Sequence, residues 1–125
     1  MEIRERRAVS QPQIEAYGDG GFRLQGAVFK GSLLLLPTVM NPWLPDDFDS
    51  VTVEAIEPIC AAANEIDLVL VGTGATMRPL PAAVRARFMA CGMAVEPMST
   101  GAACRTYNVL VVEGRRVAAA LIAVA

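Results

Sequence analysis

The chain has 125 residues, with 54% hydrophobic and 19% charged side chains, which suits one compact domain and excludes an intrinsically disordered protein. The formal net charge of -2 argues against a nucleic-acid partner, because binding to phosphates needs a basic surface. The sequence contains no histidine, which excludes catalysis by Ser-His or Cys-His pairs and metal binding through imidazole.

The N-terminal residues 1–7 carry mixed charge and no apolar core, unlike a secretory signal peptide or a mitochondrial presequence. The longest apolar run, residues 117–125, is too short for a membrane-spanning helix, which needs about 20 residues. We therefore expect a cytoplasmic protein that does not insert into a membrane. We divide it into an N-terminal extension over 1–13 and a single domain over 14–125.

Short strands are predicted at the start of the domain. Residues 14–18 and 22–26 have strand-like patterns. The Gly-Asp-Gly-Gly sequence at 18–21 predicts a hairpin or tight bend, because glycine reaches positive φ without steric cost. Residues 27–30 are interpreted as an extension of the second strand. The apolar run at 32–36 predicts a strand that is covered on both faces.

An irregular stretch follows at 41–49, where two prolines and three aspartates predict an exposed loop. Trp43 lies within this stretch, and the sequence leaves two alternatives open for it. Either its indole plugs the edge of the core, or it is exposed and contacts a partner, as tryptophan often does at protein interfaces.

Helices and strands then alternate along the chain. A helix is predicted over 52–64, where the internal Pro58 indicates a kink or a late start. The run of leucine and valine at 67–71 predicts a central strand. A second helix is predicted over 82–91, because prolines precede it and a glycine follows it.

The last third of the chain continues this alternation. A short strand at 93–95 leads into a third helix over about 101–112, for which Ser99 or Thr100 is the expected N-cap. Residues 116–124 fit a helix by alanine content or a strand by β-branched content, and we favour the strand. The alternation predicts an α/β single domain with helices packed on a mixed central sheet.

The Gly72-Thr73-Gly74 turn follows a predicted strand and precedes a predicted helix, the position at which nucleotide-binding folds place their phosphate loop. Neither the dinucleotide fingerprint nor the P-loop motif is complete, since no third glycine and no lysine follow at the required spacing. The turn is therefore either a candidate site for an anion or small ligand, or a tight turn that needs glycine.

Cys104, Arg105 and Asn108 lie close together on the third predicted helix, and Cys104 shares a face with Asn108. Arg105 would favour a Cys104 thiolate, but a nucleophile also needs a base, and without histidine that role falls to Glu96 or Glu113. The alternative, which we favour, is a structural helix in which Arg105 bonds to loop carbonyls or to Glu96. We expect Arg105 to point toward the loop after Glu96 or toward the turn at 72–74.

The three cysteines, Cys60, Cys91 and Cys104, form no C-x-x-C pair. We expect them to be reduced, mostly buried and too far apart to bridge, with Cα separations beyond about 7 Å. Because no cofactor motif is complete and histidine is absent, we predict no cofactor and no metal site.

One combination of motifs runs through the chain. Its most specific part is Cys-Arg-Thr-Tyr-Asn at 104–108, followed by Glu-Gly-Arg-Arg at 113–116. The other segments that carry it are 17–26, 31–37, Trp43, 67–74 and 96–100. Together they resemble the Mth-type family of domains of unknown function, over about residues 14–124. Members of that family include the mitochondrial respiratory complex I assembly factor 3 and the adipogenesis-associated Mth-type domain protein.

The resemblance implies a compact three-layer fold around a mixed central sheet, with the last segment as a strand. It supplies no catalytic mechanism. It implies a protein-binding role in respiratory complex assembly for at least one branch of the family. The N-terminal sequence, which is unlike a presequence, fits a bacterial member.

Two functions of different classes follow. The first is a non-catalytic interaction or assembly factor with a protein partner, linked to respiratory complex I biogenesis by the resemblance. The second is a small-molecule-binding protein or enzyme with a site near the turn at 72–74 and Cys104 and Arg105. A pocket that joins the turn to Arg105 favours the second function, and a filled interior with an exposed apolar patch favours the first.

Overall fold

The structure, a computed structural model, describes residues 11–125, so most of the predicted extension at 1–13 lies outside it. The described chain forms, in order, β1 (Ala16–Gly18), β2 (Gly21–Leu24), β3 (Ala27–Lys30), β4 (Leu33–Leu35), β5 (Met40–Pro42), a 3-10 turn (Phe48–Ser50), α1 (Val53–Ala61), a second 3-10 turn (Ala63–Glu65), β6 (Leu68–Gly72), α2 (Ala82–Ala90), β7 (Val95–Met98), α3 (Thr100–Val112) and β8 (Val117–Leu121). The predicted α/β class is confirmed.

The first three strands form an antiparallel sheet in the order β1-β2-β3. The turn between β1 and β2 has positive φ at Asp19 (52°) and Gly20 (76°), the signature of a type I′ hairpin, which confirms the predicted hairpin. A second turn of the same kind, at Gln25 (53°) and Gly26 (78°), reverses the chain between β2 and β3. The interpretation of 27–30 as an extension of the second strand is therefore wrong, because β3 runs antiparallel beside β2.

The central sheet has five strands in the order β5-β4-β8-β6-β7. β4 is antiparallel to β5 and β8, whereas β6 is parallel to β7 and β8, so the sheet is mixed as predicted. The inner position of β6 and the strand at the end of the chain are both confirmed. β5 lies where an exposed loop was predicted. Its proline is tolerated because β5 is an edge strand.

The two faces of the central sheet support different layers. Leu33, Leu35 and Leu121 face α3 and the small sheet, where they pack with Phe22. Alternate residues such as Leu34 point to the opposite face, toward α1 and α2. The three layers that the resemblance implies are therefore α1 with α2, the central sheet, and α3 with the small sheet.

The predicted helix at 52–64 is divided in two. α1 ends at Ala61, and a separate 3-10 turn covers Ala63–Glu65. Pro58 lies within α1 on an exposed position, where the carbonyl that loses its intrahelical donor can be hydrated. At the start of α3, Ser99 is the N-cap, and its Oγ accepts a bond of 3.3 Å from Ala102 N.

Cys60 and Cys91 form a disulfide, with their Cα atoms 5.7 Å apart. The expectation of three reduced and distant cysteines is therefore wrong for this pair. The reason is that α1 and α2 lie side by side on one face of the sheet, which the spacing of cysteines along the chain cannot reveal. The same two helices are joined by Arg87, whose guanidinium donates to both carboxylate oxygens of Glu57 at 2.7 and 2.9 Å.

Candidate functional site

The turn after β6 directs its backbone donors into the protein. Thr73 N donates to Met98 O at 2.8 Å, and Gly74 N donates to Thr100 Oγ1 at 3.0 Å. A Cβ at Gly72 would lie 3.0 Å from Thr100 Cα, so glycine permits close packing of β6 against the start of α3. The turn joins β6 to β7 and α3, and α2 begins several residues later. These amides are not directed toward a ligand.

Two buried threonine hydroxyls fix this end of the sheet. Thr73 Oγ1 lies 2.7 Å from Thr76 O and accepts a bond from Arg78 N at 3.0 Å. Thr100 Oγ1 donates to Ile122 O at 2.7 Å, just after β8. The sequence suggested Thr100 only as a helix cap, because its contact with Ile122 has no local sequence signal.

Cys104 lies in the core between α3 and the central sheet, with 2% of its surface exposed. Burial raises the pKa of its thiol to about 12, and the opposing effect of the neighbouring Arg105 charge is smaller. The thiol is thus protonated near neutral pH, and the hypothesis of a thiolate activated by Arg105 is wrong. Desolvation exceeds the charge effect because the sulfur faces the apolar core.

Asn108 and Gln11 hold the segment before β1 against the domain. The Asn108 carboxamide accepts from Ile14 N at 2.7 Å and donates to Ile14 O at 2.8 Å, as a paired strand would. Gln11 does the same for Val117, with bonds of 2.9 Å to its carbonyl and 3.3 Å from its N–H, and it also donates to Tyr107 Oη at 3.0 Å. Both amides therefore have structural partners. The role of Gln11 could not be predicted, since a single glutamine gives no sequence signal.

A groove of about 370 Å³, here called the Tyr17 groove, opens at the carboxyl ends of β6 and β8. Arg105 Nη1 donates to Tyr17 Oη at 2.9 Å across it. A Cβ at Gly101 would lie 2.6 Å from that phenol oxygen, so glycine at 101 lets the Tyr17 ring pack directly on the first turn of α3. The groove is lined by Tyr17, Gly74, Ala75, Ser99, Gly101, Arg105, Val124 and Ala125. Its polar side chains can donate bonds to an anionic or carbonyl ligand.

The structure brings together only some of the candidate residues. Gly74 and Arg105 both line the Tyr17 groove, but Arg105 is exposed, so its expected direction toward the turn at 72–74 stays a prediction. Its bonding partner is Tyr17, however, and not Glu96 or a loop carbonyl. Cys104 faces the core instead of the groove.

Trp43 lies on the other side of the central sheet from the Tyr17 groove. It is buried, packs with the cluster under α1 and α2, and donates from Nε1 to Ala55 O at 2.8 Å. Of the two alternatives that the sequence left open, the indole that plugs the edge of the core is the one found.

Comparison with known proteins gives two informative relatives. An uncharacterised protein from Rhodobacter capsulatus is 43% identical over 109 residues, which cover 87% of this chain and 82% of that protein. The NADH dehydrogenase [ubiquinone] 1 alpha subcomplex assembly factor 3 of Danio rerio is 31% identical over 122 residues, which cover 98% of this chain and 70% of the zebrafish protein.

Solved structures share the fold. A crystal structure described as an outer membrane protein from Bartonella henselae has a TM-score of 0.88 at 35% identity, covering 93% of this chain and 98% of that one. A Bordetella pertussis protein described as a Mth938-like domain has a TM-score of 0.78 at 28% identity, covering 90% and 85%. Residues 14–122 match the model of a family described as proteins of unknown function, DUF498/DUF598. The chain therefore belongs to the DUF498/DUF598 family, and the Mth-type resemblance found in its sequence is confirmed.

Proposed function

We propose that the chain is a non-catalytic factor that binds a protein partner during assembly of a respiratory NADH dehydrogenase. The observation that carries the proposal is the similarity to the zebrafish assembly factor, which extends over 98% of this chain. What the two proteins share is the whole domain and not an isolated motif, which supports a function of the domain surface.

The roles of the reactive side chains support a binding function. The Cys104 thiol is protonated and buried, and the Asn108 carboxamide is bonded on both sides to Ile14. The hydroxyls of Thr73 and Thr100 hold the ends of β6, β7 and β8 together. Each of these groups already has a structural role, so the proposal places the function on the exterior.

Exposed apolar side chains support a partner contact. Val109 and Val112 lie one turn apart on α3 and are 56% and 69% exposed, and Met89 on α2 is 74% exposed. Valine and methionine at such positions favour association, because covering them removes apolar surface from water.

The test is deletion of the gene from the cell that encodes the chain, followed by measurement of assembled NADH dehydrogenase on native gels and of NADH:quinone oxidoreductase activity. We expect both to fall and to return with the wild-type gene. Cys104→Ala should rescue as well as wild type, since the thiol has no chemical role. A double Val109→Asp and Val112→Asp variant should fold and rescue poorly. Unchanged assembly in the deletion strain would contradict the proposal.

A second candidate function is small-ligand binding in the Tyr17 groove. The observation that favours it is that the groove joins Gly74 to Arg105 at the sheet end where α/β folds bind ligands. Titration with acetate and inorganic phosphate, followed by amide NMR signals, tests it. Shifts at Gly74 and Gly101 that disappear in Arg105→Gln would support this function, and unmoved signals would remove it.

The compartment belongs to the same proposal. No helix in the described part of the chain is long and apolar enough to cross a bilayer. We place the chain in the cytoplasm, although disulfides such as Cys60–Cys91 persist mainly in oxidising compartments. Cell fractionation combined with thiol alkylation tests this placement. It would be overturned if the chain were found in a periplasmic or membrane fraction with Cys60 and Cys91 joined in the disulfide and therefore not alkylated.

A further inference from the structure

Within residues 11–125, no strand pairs with the outer edge of β3. Gly31 N donates to Gly20 O at 2.7 Å, which fixes the alternation of the antiparallel ladder between β2 and β3. Residues at odd positions in β3 therefore bond to β2, and Val28 and Lys30 direct their N–H and C=O groups away from it. Val28 is 60% exposed, so this edge is open to another strand.

Both edge strands of the central sheet, β7 and β5, carry a proline whose backbone faces outward, and β3 does not. On β7, Met98 O accepts a bond from the turn after β6, so the backbone of the preceding Pro97 faces outward. On β5, Trp43 N donates to Ser32 O, so the backbone of Pro42 also faces outward. Proline offers no N–H for pairing, and it commonly protects exposed edges. The β3 edge has no such proline.

A hollow of about 270 Å³ lies on the outer face of the small sheet, next to this edge. Its floor is made by the paired Gly18 and Gly21, which have no side chains, and its rim includes Val28. Two cations, Arg23 and Lys30, and one carboxylate, Asp19, also line it. Among residues 11–125, Arg23 forms one ion pair, of 3.5 Å with Glu15, and Lys30 forms none with Asp19 or any other carboxylate.

We infer that the outer edge of β3 binds an extended segment of a partner protein, which adds as a strand beside Val28 and Lys30 and directs an acidic side chain toward the hollow between Lys30 and Arg23. In this mode the backbone bonds supply affinity, and the side chain in the hollow supplies specificity. With two cations and one anion, the lining of the hollow carries a net positive charge, so a carboxylate of the partner matches Lys30, which forms no ion pair within residues 11–125. The β3 strand of a second copy has the sequence Ala-Val-Phe-Lys and offers no acidic side chain, so charge favours an acidic partner segment over self-association.

The inference names the contact by which the partner of the proposed function is held, and it rests on that function for the partner's existence. The two can fail separately. Peptide binding at β3 is measured on the purified protein, whereas NADH dehydrogenase assembly is measured in the deletion strain. Binding without any effect on assembly would refute only the proposed function.

The probe is a phage-displayed library of random peptides, selected on the wild-type protein, with dissociation constants of the selected peptides measured by fluorescence polarisation. We expect peptides with an acidic residue in a proline-free stretch. Val28→Pro, which removes an outward N–H, should weaken them at least about tenfold, because one backbone bond and the strand register are lost. Val28→Ala keeps the N–H and serves as the matched control, expected to bind like wild type.

Two further measurements do not depend on the proline variant. Hydrogen exchange at the amides of Val28 and Lys30 should slow when the peptide binds to the wild-type protein. Lys30→Glu should lose the acidic peptides and select basic ones. The inference would be overturned if no selected peptide protects these amides. It would also be overturned by acid-independent binding, or by sedimentation that shows a dimer lost in Val28→Pro, which would identify a second copy as the occupant.

Discussion

At the scale of single residues, the environment of Cys104 decides its chemistry. Its sulfur is buried, and desolvation raises its pKa to about 12 against the weaker influence of Arg105. We predict that the native protein reacts slowly with a thiol-specific reagent in mildly alkaline buffer and that unfolding in urea exposes one reactive thiol. Rapid native reaction that Cys104→Ala abolishes would show that the thiol is accessible and ionised.

The same shift predicts an alkaline dependence of stability. The unfolded thiol ionises near its ordinary pKa of 9.0, whereas the folded thiol stays protonated up to about 12. Between these pH values the unfolded state binds fewer protons than the folded state. The contribution of the Cys104 thiol to the free energy of unfolding therefore falls as pH rises. Wild type should therefore lose stability relative to Cys104→Ala over that window in urea titrations. Parallel curves for the two proteins would contradict the burial argument.

What the sequence could predict at this scale depended on local signals. Helical spacing placed Cys104 and Asn108 on one face, but only the fold reveals that this face meets the sheet and residue 14. Arg105 lines the same groove as Gly74, but it is exposed, so its predicted direction toward the turn at 72–74 stays a prediction. Its partner, Tyr17, comes from a strand far away in the sequence. Pairings between distant segments have no periodicity to read, and the sequence analysis missed Gln11 for the same reason.

At the scale of elements, the contact between α3 and the segment before β1 depends on one amide. We predict that Asn108→Ala lowers the free energy of unfolding by about 1–3 kcal/mol, because the N–H and C=O of Ile14 both lose their partner. Urea unfolding measures this. Asn108→Asp is the matched control, since it keeps an acceptor for the N–H of Ile14 but has no donor for its carbonyl. Its free energy of unfolding should lie between those of wild type and Asn108→Ala. An unchanged unfolding midpoint in Asn108→Ala would show that Asn108 does not hold the segment before β1 against α3.

The ion pair between α1 and α2 predicts an acid dependence. The hydrogen bond from Arg87 holds the pKa of Glu57 below its ordinary value of 4.5, with desolvation opposing it. A lowered folded pKa gives stability that is present above the unfolded value and is lost as pH falls through the folded one. Glu57→Gln should therefore lose less stability than wild type on acidification below the ordinary value. Melting temperatures measured across that range check it, and identical acid slopes would contradict it.

The boundaries of elements were predicted where a strong pattern and a clear stop coincide. β6 and α3 had both. β3 was not predicted as a separate strand because glutamine rarely adopts a positive φ. The turn at Gln25 and Gly26 was therefore not recognised, and residues 27–30 were assigned to the second strand. β5 was missed because prolines dominate its surroundings. Its pairing with β4 depends on tertiary contacts that outweigh local propensity.

At the scale of the whole molecule, alternation of strands and helices was enough to predict the mixed sheet, and the family resemblance supplied the three layers. The relative placement of α1 and α2 was beyond both. That placement sets the Cys60–Cys91 disulfide, and it left the expectation of reduced cysteines without support. Side-by-side helices on the same sheet face bring together residues on their facing sides that are far apart in the sequence, so sequence spacing is a poor guide to bridging.

The Cys60–Cys91 disulfide is expected to stabilise the fold. It joins residues 31 positions apart, and the loop-entropy relation gives about 4 kcal/mol of stabilisation for a closed loop of that size. Reduction should therefore lower the urea midpoint of the wild-type protein. A double Cys60→Ala and Cys91→Ala variant should already have the lower midpoint and should not respond to the reductant. Cys104→Ala should respond like wild type, which separates the bridge from the free thiol. A wild-type midpoint that does not change on reduction would show that the bridge leaves the unfolded chain unrestrained or that it does not form in solution, and mass spectrometry after alkylation distinguishes these two outcomes.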